Sequence, residues 1–282
     1  MASHSPLISK FVPGDVAAAL RLSTQAGWNQ LEADWSRLIH LWPDACFAIR
    51  DEDGAVIATS TLASYGGVGW VGMVLVDEPL RGRGLGRAIL GAAVVTGEKL
   101  DAIGLDATDL GMPVYAKHGF TSQIPINRWG GSVNRPCQSG ARPAVDDDWH
   151  AILEMDCRAT GVDRSTLLRA MADEPGVRLR VIEEYERLSG FGFARPGRVA
   201  GHVGPVVAKS AEVAAELTCA LCNEQRVFID VPATPTNAAF TAWLEQSSLS
   251  ILRRLTRMVR PAREEPLLAG PRVFATAALE LG

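Results

Sequence analysis

The chain has 282 residues, of which 47% are apolar, and a formal net charge of −4. Such a length exceeds one average domain and the apolar share supplies ordinary globular cores, so two domains are expected. The acidic balance speaks against a nucleic-acid-binding surface, which would carry an excess of basic charge, and suits cationic small molecules. No run is long enough to span a membrane, and Met1 to Phe11 holds no apolar core of signal-peptide length. Five widely scattered cysteines suit a reducing compartment, so a cytoplasmic location is expected.

Leu7 to Val12 reads as a first strand that ends at Pro13-Gly14. Asp15 then caps a helix through Val16, Ala19, Leu20 and Leu22, closed by Gly27. The link Trp28-Asn29-Gln30 leads to a second helix, Leu31 to Leu41, with Leu31, Trp35, Leu38 and Ile39 on one face. Cys46 to Arg50 and Val56 to Tyr65 form a hairpin around Asp51-Glu52-Asp53-Gly54. Val68 to Val76, apolar and rich in β-branched residues, joins them to complete an antiparallel meander.

Asp77-Glu78-Pro79 stops that strand, because proline cannot donate to a sheet ladder. The loop Arg81-Gly82-Arg83-Gly84-Leu85-Gly86 follows, and from Arg87 the spacing of Ile89, Leu90, Ala93 and Val94 predicts a helix. Strand, glycine loop and helix in this order make an anion site. Glycines let backbone approach a ligand, the first helical N–H groups lack intrahelical acceptors, and Arg81, Arg83 and Arg87 add positive charge. A P-loop would need Lys followed by Ser or Thr where Arg87-Ala88 stands, and a dinucleotide fingerprint would space its glycines as G-x-G-x-x-G.

R-G-x-G-x-G/A after a strand of the L-x-V type resembles the acetyl-CoA pyrophosphate loop of the GCN5-related N-acetyltransferases (GNATs). A second feature agrees with it: Ile103 to Ala107 reads as a strand leading into a short helix that ends Tyr115-Ala116-Lys117-His118-Gly119-Phe120. The resemblance implies acetyl-CoA as co-substrate. It would be held by a strand bulge at Val74, Leu75 and Val76, by Arg81, Gly82, Arg83, Gly84, Leu85, Gly86, Arg87 and Ala88, and by Thr108. It also implies that Tyr115 donates a proton to the coenzyme A sulfur, for which a phenol that keeps its proton at neutral pH is suited. His118, one helical turn further on, reads equally as a base or as a surface residue. In this family the first helix pair walls the acceptor pocket, which makes Trp28, Asn29, Asp34 and Trp35 candidate contacts; Trp35 as core and Asp34 as a solvated helix charge are the alternatives. The group that deprotonates the amine stays open among Glu32, Asp34, Asp77 and bulk solvent.

Ser132 to Ala144 reads as a linker, after which the order of elements repeats. Asp146 to Ala159 and Arg164 to Met171 suggest a helix pair, and Val177 to Glu183 with Glu186 to Ala194 a hairpin. Val203 to Ala208 then echoes Val71 to Val76, a helix runs from Ala211 to Cys222, and Val227 to Pro232 parallels Ile103 to Thr108. The expected fold is therefore α/β (α+β): two tandem GNAT-fold domains, each a mixed, mostly antiparallel sheet flanked by helices, over 1–131 and 145–282. Lys209-Ser210-Ala211-Glu212-Val213 lacks glycine and arginine, so the second domain is expected to shape the acceptor site rather than hold a pyrophosphate. Cys219-x-x-Cys222 has no second pair, and no metal is expected.

Phe193 to Arg198 (F-A-R-P-G-R) and Arg253 to Met258 (R-R-L-T-R-M) resemble the C-terminal domain of YitH-type tandem acetyltransferases, a likeness that covers nearly the whole chain, and among such enzymes the chain resembles the aminoglycoside 2'-N-acetyltransferases that modify kasugamycin. That likeness implies a small-molecule amine as partner, with Asp34, Asp156, Glu183 and Asp230 as the carboxylates to meet a cationic aminosugar. An amino acid, polyamine or protein amine as acceptor, or a non-catalytic acetyl-CoA sensor, are the competing readings. Oligomeric state is not legible in these residues.

Overall fold

The computed structural model describes residues 7–134, 139–222 and 226–282. The start of the N-terminal stretch and residues 135–138 of the expected linker lie outside the described residues.

The first half runs β1 (Ile8–Lys10), α1 (Val16–Gln25), α2 (Glu32–Leu41), β2 (Cys46–Arg50), β3 (Val56–Tyr65), β4 (Val68–Val76), α3 (Leu85–Gly97), β5 (Ala102–Ala107), α4 (Met112–Ala116) and β6 (Thr121–Gly131). The second runs β7 (Arg142–Pro143), α5 (Trp149–Thr160), α6 (Ser165–Ala172), β8 (Arg178–Glu184), β9 (Arg187–Arg195), β10 (Gly201–Ala208), α7 (Ala211–Cys222), β11 (Val227–Pro232), α8 (Ala238–Gln246), β12 (Ser250–Arg260) and β13 (Val273–Ala275). The hairpin, both helix pairs and the echoing strands fall where periodicity predicts them. Asp15 caps the turn that feeds α1, its carboxylate accepting the Val12 N–H at 2.8 Å. Each half opens with a helix pair, continues through a meander and crosses by a helix to a parallel strand, as expected of two copies of one fold.

Four strands were not legible in the sequence: the short β7, which lies inside the expected linker, and β6, β12 and β13, which change the architecture. β6 and β12 exchange places. The order is β1-β2-β3-β4-β5-β12-β6-β11-β10-β9-β8-β7, so the second half's β12 lies between β5 and β6 of the first, and β6 pairs with β11 of the second. Both exchanged pairings are antiparallel and long: Thr256 to Arg260 against Ala107 to Ile103, and Val227 to Pro232 against Gly131 to Ile126. The two halves thus share one continuous sheet among the described residues. β13 pairs with β10 off the main path.

One core packs α1, α2, α5 and α6 over both halves, with Trp35, Trp70, Phe191 and Phe193 fully buried. The chain's last residues belong to it: Ala277, Ala278 and Leu281 are buried there. A separate core seats α3 on the other face of β3, β4 and β5, through Leu62, Val71, Leu90, Ala93 and Leu105. Alternate residues of β4 therefore face different layers, Trp70 toward the helix pairs and Val71 toward α3.

Candidate functional site

The site grows out of one divergence in the sheet. β4 and β5 pair in parallel only at Val68–Ala102, Gly69–Ile103 and Trp70–Gly104, after which β4 runs on to Val76 and β5 to Ala107 without pairing. On its other side β4 stays with β3, but the register slips: Gly72 faces Thr61 and Leu75 faces Thr59. Met73 and Val74 therefore stand opposite Ser60 alone, which is a β-bulge. Met73 is left with φ +51°, uncommon for a non-glycine residue, and its carbonyl accepts the Thr59 hydroxyl at 2.8 Å. The sequence placed this bulge at Val74 to Val76; the structure places it one residue earlier, so Leu75 and Val76 have returned to regular pairing.

At the mouth of the divergence lies the arginine-glycine loop. Gly82 and Gly84 have φ +78° and +82°, which only glycine adopts cheaply. Gly84 is the N-cap of α3 and supplies no side-chain cap, so the first helical N–H groups face outward for an anion. Arg81, Arg83 and Arg87 are exposed around it; Arg81 Nε donates to the Val76 carbonyl at 3.3 Å, which ties the loop to the end of β4. Leu85, Gly86 and Ala88 start the helix and are half-buried.

Tyr115 lies on α4, after β5, packed on the α3-side core and edge-on to Phe120 with ring centroids 6.3 Å apart. Burial pushes its phenol up to about 12, so it is a proton carrier at every physiological pH. The carbonyl of Thr108 accepts the Gly111 and Met112 N–H groups and begins this helix. His118 has its pKa lowered, by burial first and then by Arg87 and Arg260, and its ring lies 3.8 Å from a Cβ built on Gly91 of α3. It is therefore neutral and on the α3 side.

The second half repeats the divergence and then closes it. β10 and β11 pair in parallel at Gly201–Val227, His202–Phe228 and Val203–Ile229, and a register slip against β9 falls at Gly204-Pro205. Beyond that point β13 pairs with β10 through Val206–Ala275 and Val207–Val273, and the Thr276 N–H donates to the Asp230 carbonyl of β11 at 2.9 Å. The chain's own tail occupies the gap. Among the described residues no strand does the same between β4 and β5.

The acceptor candidates separate into groups. Trp28 and Asn29 bind the two halves together: Asn29 Oδ1 accepts Val199 and Ala200 N–H at 2.8 and 3.0 Å, and the Trp28 carbonyl accepts Arg198 Nε at 2.9 Å. Trp35 is fully buried core. Asp34 is 2% exposed, caps α2 through the Leu31 N–H, and pairs with Arg37 at 2.7 Å and Arg195 at 2.6 Å. It is neither a solvated helix charge nor a free contact. Asp156 pairs with Arg164, which also donates to the Gly282 carbonyl at 3.0 Å and so anchors the tail. Asp230 is held by Arg128 through two 2.8 Å bonds and by His202 at 3.1 Å. Glu183 lies at the opposite edge of the sheet, on β8, bound to Arg142.

Among the base candidates, Glu32 is exposed. Burial raises the Asp34 pKa, but Arg195 and Arg37 outweigh it and hold the group below the usual carboxylate range. Asp77 is likewise lowered, burial being outweighed by hydrogen bonds from Arg21 and Gln25. Two residues the sequence did not single out meet beside the bulge. Gln30 Nε2 donates to Glu280 Oε2 at 3.0 Å, and the backbone of Glu280 crosses Gly72. No local signal marks Glu280, which reaches β4 only through the folded tail.

Comparison with known proteins agrees with this geometry. Residues 17–120 match the family described as acetyltransferase (GNAT) family, and residues 152–269 match an acetyltransferase (GNAT) domain family. The chain is 26% identical over 228 residues to the uncharacterized N-acetyltransferase YitH of Bacillus subtilis (strain 168), covering 79% of this chain and 80% of that one. A putative acetyltransferase from Pyrococcus horikoshii has the same fold over 100% of this chain and 98% of its own, with TM-score 0.85 at 21% identity. A GCN5-related N-acetyltransferase from Sphaerobacter thermophilus matches with TM-score 0.65 at 14% identity, over 95% of this chain and all of its own. Saccharomyces cerevisiae N-myristoyltransferase, solved with bound myristoyl-CoA and inhibitors, shares the fold with TM-score 0.67 at 10% identity, over 100% of this chain and 87% of its own.

Proposed function

We infer that the chain, whose two halves each match an acetyltransferase (GNAT) family, is an N-acetyltransferase whose first half transfers acetyl from acetyl-CoA to a primary amine of a small cationic molecule. The observation that carries this reading is the contrast between the two divergences: among the described residues the first has the arginine-glycine loop and no strand within it, while the second lacks such a loop and is filled by β13. The residues present fit acetyl-CoA. Gly82, Gly84 and the bare start of α3 suit its pyrophosphate, with Arg81, Arg83 and Arg87 adding charge, and the bulge at Met73-Val74 suits the pantetheine arm.

Acetyl-CoA supplies a thioester whose carbonyl oxygen gains negative charge as the amine adds. Backbone N–H groups at the bulge stabilise that charge, which is the largest single contribution such a site makes. Tyr115 hands its phenolic proton to the departing sulfur and recovers one from solvent. The shared sheet and the Asn29 staple hold the second half over the helix pair of the first. Packing of the second half against that helix pair favours a small acceptor over a protein chain.

For the acceptor itself our reading is an aminoglycoside such as kasugamycin, the class that the sequence resemblance implies, and the buried carboxylate of Glu280, whose backbone lies against β4 beside the bulge, suits its cationic amine. The paired states of Asp34, Asp156 and Asp230 move the weight of that reading from those residues to Glu280. Mass spectrometry of kasugamycin incubated with the protein and acetyl-CoA tests it: one added acetyl group upholds it, and unmodified kasugamycin beside an acetylated polyamine or amino acid replaces the acceptor.

A further inference from the structure

The bulge of β4 is approached from the helix-pair side by the last turn of the chain. A Cβ built on Gly72 would stand 2.8 Å from the Cα of Glu280 and 2.9 Å from its carbonyl oxygen, so only a glycine lets the tail lie against the strand here. This sets the backbone and Cβ of Glu280 against the strand one residue before Met73, with its carboxylate turned to Gln30 and Arg195. Glu280 is 4% exposed and its Oε1 has no hydrogen-bond donor; the nearest cation, Arg195 Nη2, is 3.6 Å away. Gln30, 8% exposed, gives its Nε2 to Glu280 Oε2, which fixes the orientation of the amide and leaves Gln30 Oε1 without a partner as well. Two buried acceptors without a donor, on side chains that are themselves hydrogen-bonded to each other, are costly, and a group with several N–H bonds can satisfy them.

Charge points to the same ligand. Asp34, Glu174 and Glu280 converge on Arg37 and Arg195, three carboxylates against two guanidiniums. Asp34 and Glu174 each have a bonded arginine, whereas Glu280 has a single long contact. The unpaired negative charge is the one beside the bulge. Burial, ahead of the opposing pull of Arg195, raises the Glu280 pKa above the usual range, unlike Asp34 and Asp77, so it is better matched to proton transfer near neutrality.

We propose that Gln30 and Glu280 form the cradle of the acceptor ammonium, and that Glu280 is the catalytic base that takes its proton. The proposal rests on the acetyltransferase reading. The ammonium gives one proton to the Glu280 carboxylate, and the freed nitrogen lone pair forms the N–C bond to the thioester carbonyl. The C–S bond then breaks, its electron pair leaves on sulfur, and Tyr115 protonates the thiolate. The nitrogen loses its second proton once Glu280 has passed the first to solvent. The products are the acetamide, coenzyme A and one net proton.

The test compares wild type with Glu280→Gln, Glu280→Asp and Gln30→Leu in coenzyme A release, with kasugamycin, spermidine and amino acids as acceptors. Glu280→Gln should lower kcat about 100-fold or more while leaving the KM for acetyl-CoA unchanged. It should also abolish the acidic limb of the kcat/KM profile for the amine, which Glu280→Asp restores and displaces. Arg195, Asp34, Arg37, Arg128 and Tyr65 also act on Glu280, so the limb is assigned by its loss in this variant rather than by its position. Gln30→Leu, which keeps the carboxylate, should raise the KM for the amine about tenfold. Equal kcat and an equal pH profile in Glu280→Gln overturn the proposal; failure of that variant to fold leaves the decision to Gln30→Leu, whose unchanged amine KM overturns it. If wild type acetylates none of these amines, the transferase reading falls, and calorimetry of spermidine and kasugamycin against the coenzyme A complex still decides the cradle. Heat lost in Glu280→Gln and Gln30→Leu upholds it, and equal or absent heat in wild type overturns it.

Discussion

Gly72 of β4 and Glu280 of the C-terminal tail are in van der Waals contact, backbone to backbone, one residue before the bulge at Met73. A methyl group at Gly72 would stand 2.8 Å from the Glu280 Cα, too close for either chain to keep its place. Gly72→Ala should therefore cost about 1–3 kcal/mol of stability and raise the amine KM more than that for acetyl-CoA. Thermal unfolding and the two KM values check this.

The loop glycines should differ in what they tolerate. Gly82 and Gly84 have open space around a would-be Cβ but positive φ, so alanine strains the backbone by about 1 kcal/mol each and displaces the N–H groups that meet the anion. Gly86 is helical, and its Cβ would meet Val76 at an ordinary 3.5 Å. Gly82→Ala and Gly84→Ala should raise the KM for acetyl-CoA severalfold, and Gly86→Ala should leave it near wild type. Steady-state kinetics at fixed acceptor distinguishes the three.

A buried ion pair ties the tail to α5 and α6. Asp156 and Arg164 are each 1% exposed at the side chain and 2.7 Å apart, and Arg164 also holds the Gly282 carbonyl. Removing one partner leaves an uncompensated buried charge. Asp156→Ala should cost about 3–5 kcal/mol, measured by denaturant unfolding, and the double variant Asp156→Ala with Arg164→Leu should cost less than the sum of the single changes.

Stability should fall between about pH 6.5 and pH 4 because of His202. It is 2% exposed, and burial, aided by Arg195, pushes its pKa down to about 4. The unfolded chain takes up the proton near the ordinary histidine value while the folded chain does not. The stability that neutral His202 contributes is thus complete above about pH 6.5 and is lost as pH falls toward 4, amounting to the order of 3 kcal/mol. Urea midpoints across this range check it, and His202→Gln should flatten the slope.

What the sequence made legible is what local patterning encodes. The β-branched run of β4, the interleaved glycines and arginines, and the Tyr115 to Phe120 ending each carry their geometry within a few residues. β6 was hidden because Pro125 interrupts a strand that is nonetheless central, and β12 because four arginines occupy it. Arg257 there is paired with Asp106 and stacked on Trp70 at 4.4 Å, a compensation visible only after long-range pairing. The acceptor side depended on the same exchange. Asp34, Asp156 and Asp230 look like free carboxylates in the chain, yet each is paired with an arginine in the fold, and Glu280 reaches the bulge through a tail whose path no short motif announces.

The central claim is that the first half transfers acetyl to an amine with Tyr115 as the acid. The direct measurement is release of coenzyme A from acetyl-CoA at neutral pH, by wild type and by Tyr115→Phe, with kasugamycin, other aminoglycosides, polyamines and amino acids as acceptors. Amine-dependent release that falls about 100-fold or more in Tyr115→Phe, with acetyl-CoA binding retained, is the expected result. Acetyl-CoA binding without release for any acceptor, or undiminished release by Tyr115→Phe, would contradict it.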